Sequence, residues 1–238
     1  MNKLPWLEID DPFPPVMAAL REPNGLLAAG ADLSPARLLD AYTHGIFPWY
    51  SDGEPILWWS PAPRCVILPE RFHASRSLQK TWRSGAFTVT INRDFPAVMS
   101  ACATTGDRAE RGTWITREMF DAYCTMHRLG WAHSLETWHD GKLAGGIYGI
   151  AIGKIFFGES MFSRGSNASK IALWMLCRSL HTLGFRLVDC QMESAHLLSL
   201  GAQNISRAAF QSALQQLAHP ATALDVQEWQ KSIETLTP

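Results

Sequence analysis

Three strand patterns joined by two-residue turns, in the middle of the chain, constrain its fold more than any other feature. The patterns cover 133–139, 142–152 and 155–162, with Asp140-Gly141 and Gly153-Lys154 between them. Asp-Gly is among the strongest short signals for a hairpin turn. Because two-residue turns join antiparallel neighbours, the segment is predicted to form a three-stranded meander.

Helical patterns flank this meander on both sides. Upstream, Thr116 is placed to cap a helix whose apolar residues recur with a 3.6-residue rhythm until Gly130. Downstream, the patterns predict a helix, a strand and two more helices, at 167–183, 185–190, 195–200 and 206–217, followed by a tail from 219. This order of elements is typical of acetyltransferase-like α+β domains.

The first hundred residues predict a smaller domain of mixed structure. Capped helices at 34–45 and 75–85 flank irregular aromatic stretches at 47–50 and 58–61, and a strand at 87–92 precedes a short helix at 95–102. The polar stretch 104–111 marks the expected boundary. We therefore expect an N-terminal domain over 1–103 and an α+β, acetyltransferase-like (GNAT-related) domain over 104–238.

The composition is that of a folded protein. Hydrophobic residues make up 47% and charged residues 18%, which excludes a chain that stays disordered for lack of apolar surface. The most apolar stretch, Leu143 to Gly158, is interrupted by five glycines and Lys154, so no membrane-spanning helix is predicted there. The start, Met1 to Pro15, lacks the basic end and apolar run of a secretory signal. A cytoplasmic protein is expected.

The spacing of the cysteines and histidines indicates neither disulfide bonds nor a metal site. The five cysteines have no paired spacing, which favours reduced thiols over a disulfide framework. The eight histidines have neither the spacing of a zinc protease nor that of a zinc finger. No metal site is predicted.

The basic residues are concentrated in one segment, although the formal net charge is only -1. Between 64 and 93 there are six basic residues and one acid. The helix predicted at 75–85 places Arg76, Lys80 and Arg83 on one side, as a stripe suited to nucleic-acid phosphates. A solvated helix face is the alternative interpretation, and both stay open.

Nine short blocks carry a more specific signal. The blocks are Arg21–Leu27, Gly45–Trp49, Trp58–Pro61, Gly112–Thr116, Gly145–Gly149, Phe157–Ser163, Asn167–Lys170, Asp189–Gln191 and Ser199–Ala202. In these blocks, within a match that spans roughly 21–217, the chain resembles the leucyl/phenylalanyl-tRNA-protein transferase family. Several independent blocks in the right order are far more specific than one short motif.

The resemblance implies an aminoacyltransferase whose catalytic part is the domain over 104–238. The family moves Leu, Phe and sometimes Met from a charged tRNA to the N-terminal amine of proteins that begin with Arg or Lys, which marks those proteins for degradation. The donor is an activated ester, so the resemblance implies no ATP, metal or other cofactor. The expected partners are Leu-tRNA, Phe-tRNA and the acceptor protein. The chain is expected to be a monomer, and no membrane partner is expected.

The resemblance assigns the chemistry to Asp189 and Gln191. The two residues are separated by one position in the predicted strand, so their side chains are expected on the same face. Asp189 would hold or polarise the incoming amine, and Gln191 would orient it or donate a hydrogen bond to the developing tetrahedral oxygen. Alternatively, Asp189 is a strand-end residue that accepts hydrogen bonds from nearby backbone.

The resemblance also implies a site for the tRNA. Glu159 would accept hydrogen bonds from the 3′ adenosine, and Trp49 and Trp114 would stack on the unpaired end. A surface Glu159 in a salt bridge is the alternative. The basic stripe would contact the acceptor stem. The tryptophans expected in the core instead are Trp58, Trp59 and Trp174.

A pocket for the transferred Leu or Phe side chain is implied as well. Its six expected apolar residues are Ile147, Phe156, Met161, Leu173, Leu176 and Val188. A pocket that reads only shape and apolarity discriminates weakly among Leu, Phe and Met. The same six residues also fit the periodicity of an ordinary core.

Two rival hypotheses remain from the residues alone. The loop 164–168 leads into a helix and is able to cradle a pyrophosphate, which suits an acetyltransferase that uses coenzyme A. The basic stripe and exposed aromatics suit an RNA-binding module without catalysis.

Overall fold

Two β-sheets form the framework of the protein in a computed structural model that describes residues 4–105, 113–219 and 223–236. The strands of the smaller sheet are β1 (Trp6–Leu7), β2 (Leu26–Gly30), β3 (Phe47–Pro48) and β4 (Leu57–Trp59), in the spatial order β1-β2-β4-β3. The prediction of irregular structure for both aromatic stretches was therefore wrong. Strands of two and three residues are too short for alternation to appear in the sequence.

The larger sheet has seven strands in the order β11-β5-β10-β9-β8-β7-β6. Their bounds are β5 (Arg64–Ile67), β6 (Thr88–Ile91), β7 (Ala132–His139), β8 (Lys142–Ile152), β9 (Ile155–Ser163), β10 (Leu187–Asp189) and β11 (Gln203–Ile205). β7, β8 and β9 pair in antiparallel fashion, which confirms the predicted meander. β10 runs parallel to β9 and antiparallel to β5.

The helices lie close to where their capping residues predict. They are α1 (Pro35–Thr43), α2 (Arg76–Arg83), α3 (Phe95–Thr104), α4 (Arg117–Arg128), α5 (Ala168–Thr182), α6 (Ala195–Ser199), α7 (Arg207–Leu217) and α8 (Val226–Glu234). The hydroxyls of Ser34, Ser75 and Thr116 each accept a hydrogen bond from the backbone amide three residues later. This is the usual N-cap geometry, so these predicted helix starts are confirmed.

The larger sheet is covered on both faces. α5 packs on one face of the meander, and α3 and α4 pack against the other. Neighbouring residues of β8 therefore enter different cores, Ile147 beside α5 and Tyr148 beside α3 and α4. Burial on both faces explains the nearly continuous apolar composition of β8 and β9.

α8 contradicts the prediction that the chain from 219 is a tail beyond the core. Its Trp229 is fully buried and donates a hydrogen bond from Nε1 to the Ser179 hydroxyl at 2.8 Å. Only Trp229, Ser232 and Ile233 of this helix are buried. With so few inward residues, its helical periodicity is too weak to read from the sequence.

The architecture is a mixed α/β fold, as predicted in outline. Strands β5 and β6, which precede residue 104, pair in the same sheet as the strands that follow it, so this sheet is built from both predicted segments. The division at 103/104 stays a prediction. Most of the polar stretch on which it was based, together with Gly112, lies outside the described residues.

Candidate active site

Two adjoining cavities lie where β10 ends, beside the middle of β9. The outer cavity has a volume of about 270 Å³ and is lined by Phe47, Pro48, Trp49, Trp114, Glu159, Cys190, Gln191, Met192 and Glu193. The apolar cavity, of about 100 Å³, is lined by Ile147, Gly158, Glu159, Ser160, Met161, Leu173, Val188, Asp189, Cys190, Gln191 and Leu197. Glu159, Cys190 and Gln191 line both and form their shared wall.

The sheet positions this wall. β9 and β10 are parallel, with Asp189 opposite Phe157. The residues that follow Asp189 therefore lie beside the part of β9 that follows Phe157. The register of β8 and β9 shifts by one residue at Gly149. A Cβ at Gly149 would lie 2.2 Å from the carbonyl oxygen of Phe157, so only glycine permits this approach.

Asp189 is fully buried and paired with Arg64. Its Oδ1 accepts a hydrogen bond from Arg64 Nε at 2.8 Å, and its Oδ2 accepts one from Nη2 at 2.7 Å. The guanidinium lies 5.1 Å from the ring centroid of Phe47 and 4.6 Å from that of Phe210. Sequence reasoning had counted Arg64 among the basic residues of its segment and missed this pairing. Both oxygens of Asp189 are thus occupied by a buried, bidentate partner.

Gln191 does not share a strand face with Asp189, so that prediction was wrong. β10 ends at Asp189, and Gln191 has a φ of +55°, which turns the backbone out of the strand. Its backbone amide donates a hydrogen bond to Asp189 Oδ1 at 3.0 Å. The two residues are therefore joined by a local turn. Within the described residues, the buried Nε2 of Gln191 has no hydrogen-bond partner.

Glu159 is held by two tyrosines that the sequence did not reveal. Tyr42, from α1, donates to Oε1 at 2.6 Å, and Tyr123, from α4, donates to Oε2 at 3.2 Å. The two hydroxyls also contact each other. Burial raises the pKa of Glu159 to about 7, although the tyrosine hydrogen bonds act in the opposite direction. No ion pair to Glu159 occurs in the described parts of the chain, and the surface salt-bridge alternative was wrong.

The two predicted stacking residues lie on the outer cavity. Trp49 is 38% exposed, and its ring centroid lies 5.4 Å from that of Trp59. Trp59 Nε1 donates to the backbone oxygen of Trp49 at 2.7 Å, which fixes the segment. Trp114 lines the same cavity. Of the tryptophans expected in the core, Trp58 is fully buried and Trp59 packs, partly buried, against the same core. Trp174 is partly buried against the second core, which contains α5.

The apolar cavity contains four of the six predicted pocket residues. Ile147, Met161, Leu173 and Val188 line it. Phe156 and Leu176 are fully buried in the core and do not line it. The periodicity of a strand or helix identifies its inward face, but not the inward positions that border empty space. Leu197, from α6, also lines the cavity and was not predicted.

The basic stripe lies on the surface. Arg76, Lys80 and Arg83 are exposed on α2, and none of them forms an ion pair with another described residue. Arg83 Nη2 contacts Gln79 Oε1 at 3.4 Å. The three cations are thus available to an external anion.

Other chemical features are limited. All five cysteines are free thiols. Across 4–105, 113–219 and 223–236, no three or more His, Cys, Asp or Glu side chains come together in a way that suits a metal ion. Among the helices of those ranges, none is long and apolar enough to cross a membrane.

Comparison with known proteins gives consistent matches. Residues 66–215 match a family model described as leucyl/phenylalanyl-tRNA protein transferase, and residues 31–62 match the model of its N-terminal domain. A protein of that name from Nitrosospira multiformis is 55% identical over 216 residues, which cover 91% of this chain and 93% of that protein. One from Pseudomonas paraeruginosa is 59% identical over 213 residues, with coverage of 89% and 94%.

Similarity to solved structures is more distant. A Bacteroides thetaiotaomicron protein of unknown function has a TM-score of 0.42 and 11% identity, covering 68% of this chain and 57% of that one. L-PGS from Bacillus licheniformis has a TM-score of 0.38 and 8% identity, with coverage of 84% and 62%.

Proposed function

Because the chain belongs to the leucyl/phenylalanyl-tRNA protein transferase family, we propose that its two cavities are where a tRNA-bound aminoacyl ester meets the N-terminal amine of a protein. The protein is an aminoacyltransferase that moves Leu or Phe from tRNA to protein N-termini. One observation supports this site most strongly: the apolar cavity and the tryptophan-lined outer cavity share one wall.

On the donor side, the apolar cavity receives the Leu or Phe side chain. Ile147, Met161 and Leu173 would contact it. The 3′ adenosine then occupies the outer cavity, where Trp49 and Trp114 offer aromatic faces. Such stacking contributes about 1–3 kcal/mol per base. Glu159 accepts a hydrogen bond from a ribose hydroxyl or from the adenine amino group. A carboxylate is a good partner for these donors and a poor partner for a phosphate.

The reaction is attack of a neutral amine on an activated ester. An N-terminal amine has a pKa of about 8, so a useful fraction is neutral at physiological pH. Gln191 Nε2, which is buried without a partner among the described residues, donates to the oxyanion that develops on the ester carbonyl. Arg64 occupies both oxygens of Asp189, so this carboxylate is not placed to take the proton of the amine. It acts by holding the backbone of Gln191 and as a fixed charge.

On the acceptor side, we propose proteins that begin with Arg or Lys. Among the described residues that line the outer cavity, the ionisable side chains with carboxylates are Glu159 and Glu193, and none is Lys, Arg or His. Such a wall favours a cationic first residue over an acidic one. Transfer of Leu or Phe would then mark these proteins for degradation.

The basic stripe on α2 contacts the phosphates of the acceptor stem, and its exposed, unpaired cations support this role. The order of helix, three-stranded meander, helix and parallel strand supports an acetyltransferase-like relationship. Because one chain supplies the whole cleft, a cytoplasmic monomer is sufficient for the reaction.

The experiment that tests this function is a transfer assay with radiolabelled Leu-tRNA. Label is expected to reach a peptide that begins with Arg and not the same peptide with an acetylated N-terminus, because only a free amine attacks the ester. Gln191→Ala should lower kcat by about 100-fold, the usual cost of losing an oxyanion donor. Gln216→Ala, on the exposed face of α7, is the matched control. Equal labelling of both peptides would contradict the proposal.

A further inference from the structure

Two of the five cysteines lie opposite each other at the wall shared by the two cavities. The register of β5 and β10 pairs Asp189 with Val66, and its continuation by one residue places Cys190 opposite Cys65. The backbone amide of Cys190 donates to the carbonyl oxygen of Cys65 at 2.9 Å, which agrees with that pairing. The remaining cysteines lie on other elements, in α3, α4 and α5, and of these Cys177 belongs to the same buried cluster as Cys65.

The backbone is already spaced for a disulfide bond. Residues directly opposite in an antiparallel pair have Cα atoms about 4.5–5.5 Å apart. Disulfide bonds join Cα atoms about 4.4–6.8 Å apart. The two strands therefore need no large movement to allow a bond between the sulfurs.

The two thiols also form a chemically coupled pair. Their interaction lowers the pKa of Cys65 and raises that of Cys190. Burial acts against this at Cys65, so the interaction with Cys190 is the larger influence on its pKa. The lowered pKa makes Cys65 the readier of the two to react as a thiolate, which suits an attack on an oxidised partner sulfur.

Access to the pair comes through the cleft. Cys190 is partly exposed and lines both cavities, whereas Cys65 is fully buried behind it. A small oxidant in the cleft therefore reaches the sulfur of Cys190 first. Cys177, by contrast, is fully buried and lines neither cavity.

We propose that Cys65 and Cys190 are a modification site that forms an intramolecular disulfide with a peroxide as the oxidant. The Cys190 sulfur attacks one peroxide oxygen, the O–O bond breaks, and Cys190 becomes a sulfenic acid with release of one water. The Cys65 sulfur then displaces the hydroxyl from the Cys190 sulfur. The products are the disulfide and a second water, so two thiols are oxidised and one peroxide is reduced.

The disulfide blocks the cleft reversibly. Cys190 lies between Asp189 and Gln191, and Cys65 N donates to the carbonyl oxygen of Gln191 at 3.1 Å. A bond between the two sulfurs fixes this wall against β5 and prevents it from adjusting to substrate. This consequence rests on the proposed function, whereas formation of the bond does not.

Peptide mapping of the wild-type protein after hydrogen peroxide treatment, without reductant, tests the modification itself. The expected result is a linked pair of peptides that carry Cys65 and Cys190, lighter by two hydrogen atoms than the separate peptides, and separated again by dithiothreitol. Stable sulfenic acid at Cys190 without a link, or a link that joins other cysteines, would overturn the proposal. No transfer assay is needed for this test, so its failure is distinct from a failure of the proposed function.

Two variants sharpen the test. Cys65→Ser should abolish the link and leave a sulfenic acid at Cys190 that dimedone labels, while Cys102→Ser should leave the link unchanged. With the transfer assay, the wild-type rate should fall in proportion to the linked fraction and recover with dithiothreitol, and Cys65→Ser should resist that reversible loss. A fully linked protein that transfers Leu at its original rate would overturn the block of the cleft.

Discussion

Arg64 and Asp189 form the buried ion pair on which the shared wall of the two cavities depends. Their side chains are 1% and 0% exposed. Burial of two charges is tolerated because the bidentate contact and the Gln191 amide satisfy the Asp189 carboxylate. Either charge left alone in this place would lack compensation.

A double-mutant cycle tests this dependence. Arg64→Gln and Asp189→Asn should each lower the free energy of unfolding by about 3–5 kcal/mol, because each leaves an uncompensated buried charge. The double variant should lose clearly less than the sum. Urea denaturation provides the measurement, and the exposed pair Arg117 and Asp121 is the control, with little coupling expected. Additive losses at Arg64 and Asp189 would contradict the account.

Glu159 gives the stability a dependence on pH. Its pKa is raised from 4.5 to about 7, so the folded protein binds a proton there that the unfolded chain releases. The resulting stabilisation is complete below pH 4.5 and is lost as the pH rises through about 7. Relative to Glu159→Gln, the wild type should lose up to about 3 kcal/mol of unfolding free energy over that window.

Urea denaturation of both proteins at pH 4.5 and pH 8 measures this difference. Glu70→Gln, at an exposed position, controls for the loss of one negative charge. A difference between wild type and Glu159→Gln that stays the same at both pH values would show that Glu159 titrates in its ordinary range.

Sequence reasoning at this scale identified acids but not their partners. Asp189 and Glu159 were singled out from the family's motifs, and both lie in the cleft. Arg64, Tyr42 and Tyr123 were not linked to them, because those contacts join positions 36 to 125 residues apart. Only the packing of β5, α1 and α4 around β9 and β10 brings them together.

At the scale of elements, α2 offers a test of tRNA binding. Changing Arg76, Lys80 and Arg83 to Gln should weaken binding at low salt and make its salt dependence shallower. Each lost phosphate contact lowers the slope of log K against log salt by about 0.9. Fluorescence anisotropy over a salt series measures this. The same change at the exposed Arg117 and Arg128 of α4 is the control, and an equal effect there would contradict a role for the stripe.

α8 offers a test of stability. Trp229→Ala should cost about 3–5 kcal/mol of unfolding free energy, because it leaves a large cavity and removes the donor to Ser179. Trp6→Ala, at a residue that is 62% exposed, is the control and should change stability little. Thermal or urea denaturation distinguishes the two. A small loss at Trp229 would mean that α8 is not part of the folding core.

Elements with strong local signals were predictable, and short or weakly patterned ones were not. The two turns of the meander over β7, β8 and β9 have recognisable turn residues in the sequence. The helices α1, α2 and α4 have recognisable N-cap residues. β3 and β4 are stabilised by pairing with each other and with β2, and α8 by the burial of three residues on one face. Tertiary contacts, rather than local propensity, determine such elements.

At the scale of the molecule, the sequence predicted the order of elements but not how the halves combine. β5 lies between β10 and β11, so a strand from the first third of the chain packs beside the wall shared by the two cavities. No local pattern specifies such long-range pairing. The family resemblance supplied the function, and the cavities follow from an arrangement visible only in three dimensions.

We propose that the apolar cavity binds the side chain of the transferred Leu or Phe. The relative catalytic efficiency with Phe-tRNA and Leu-tRNA tests this most directly. The measurement is kcat/KM for Phe-tRNA divided by kcat/KM for Leu-tRNA, in which the folded fraction cancels. Met161→Ala enlarges the cavity and should raise this ratio on the order of tenfold, whereas Leu176→Ala, buried outside the cavity, should leave it unchanged. An unchanged ratio in Met161→Ala, or an equal rise in both variants, would contradict the account.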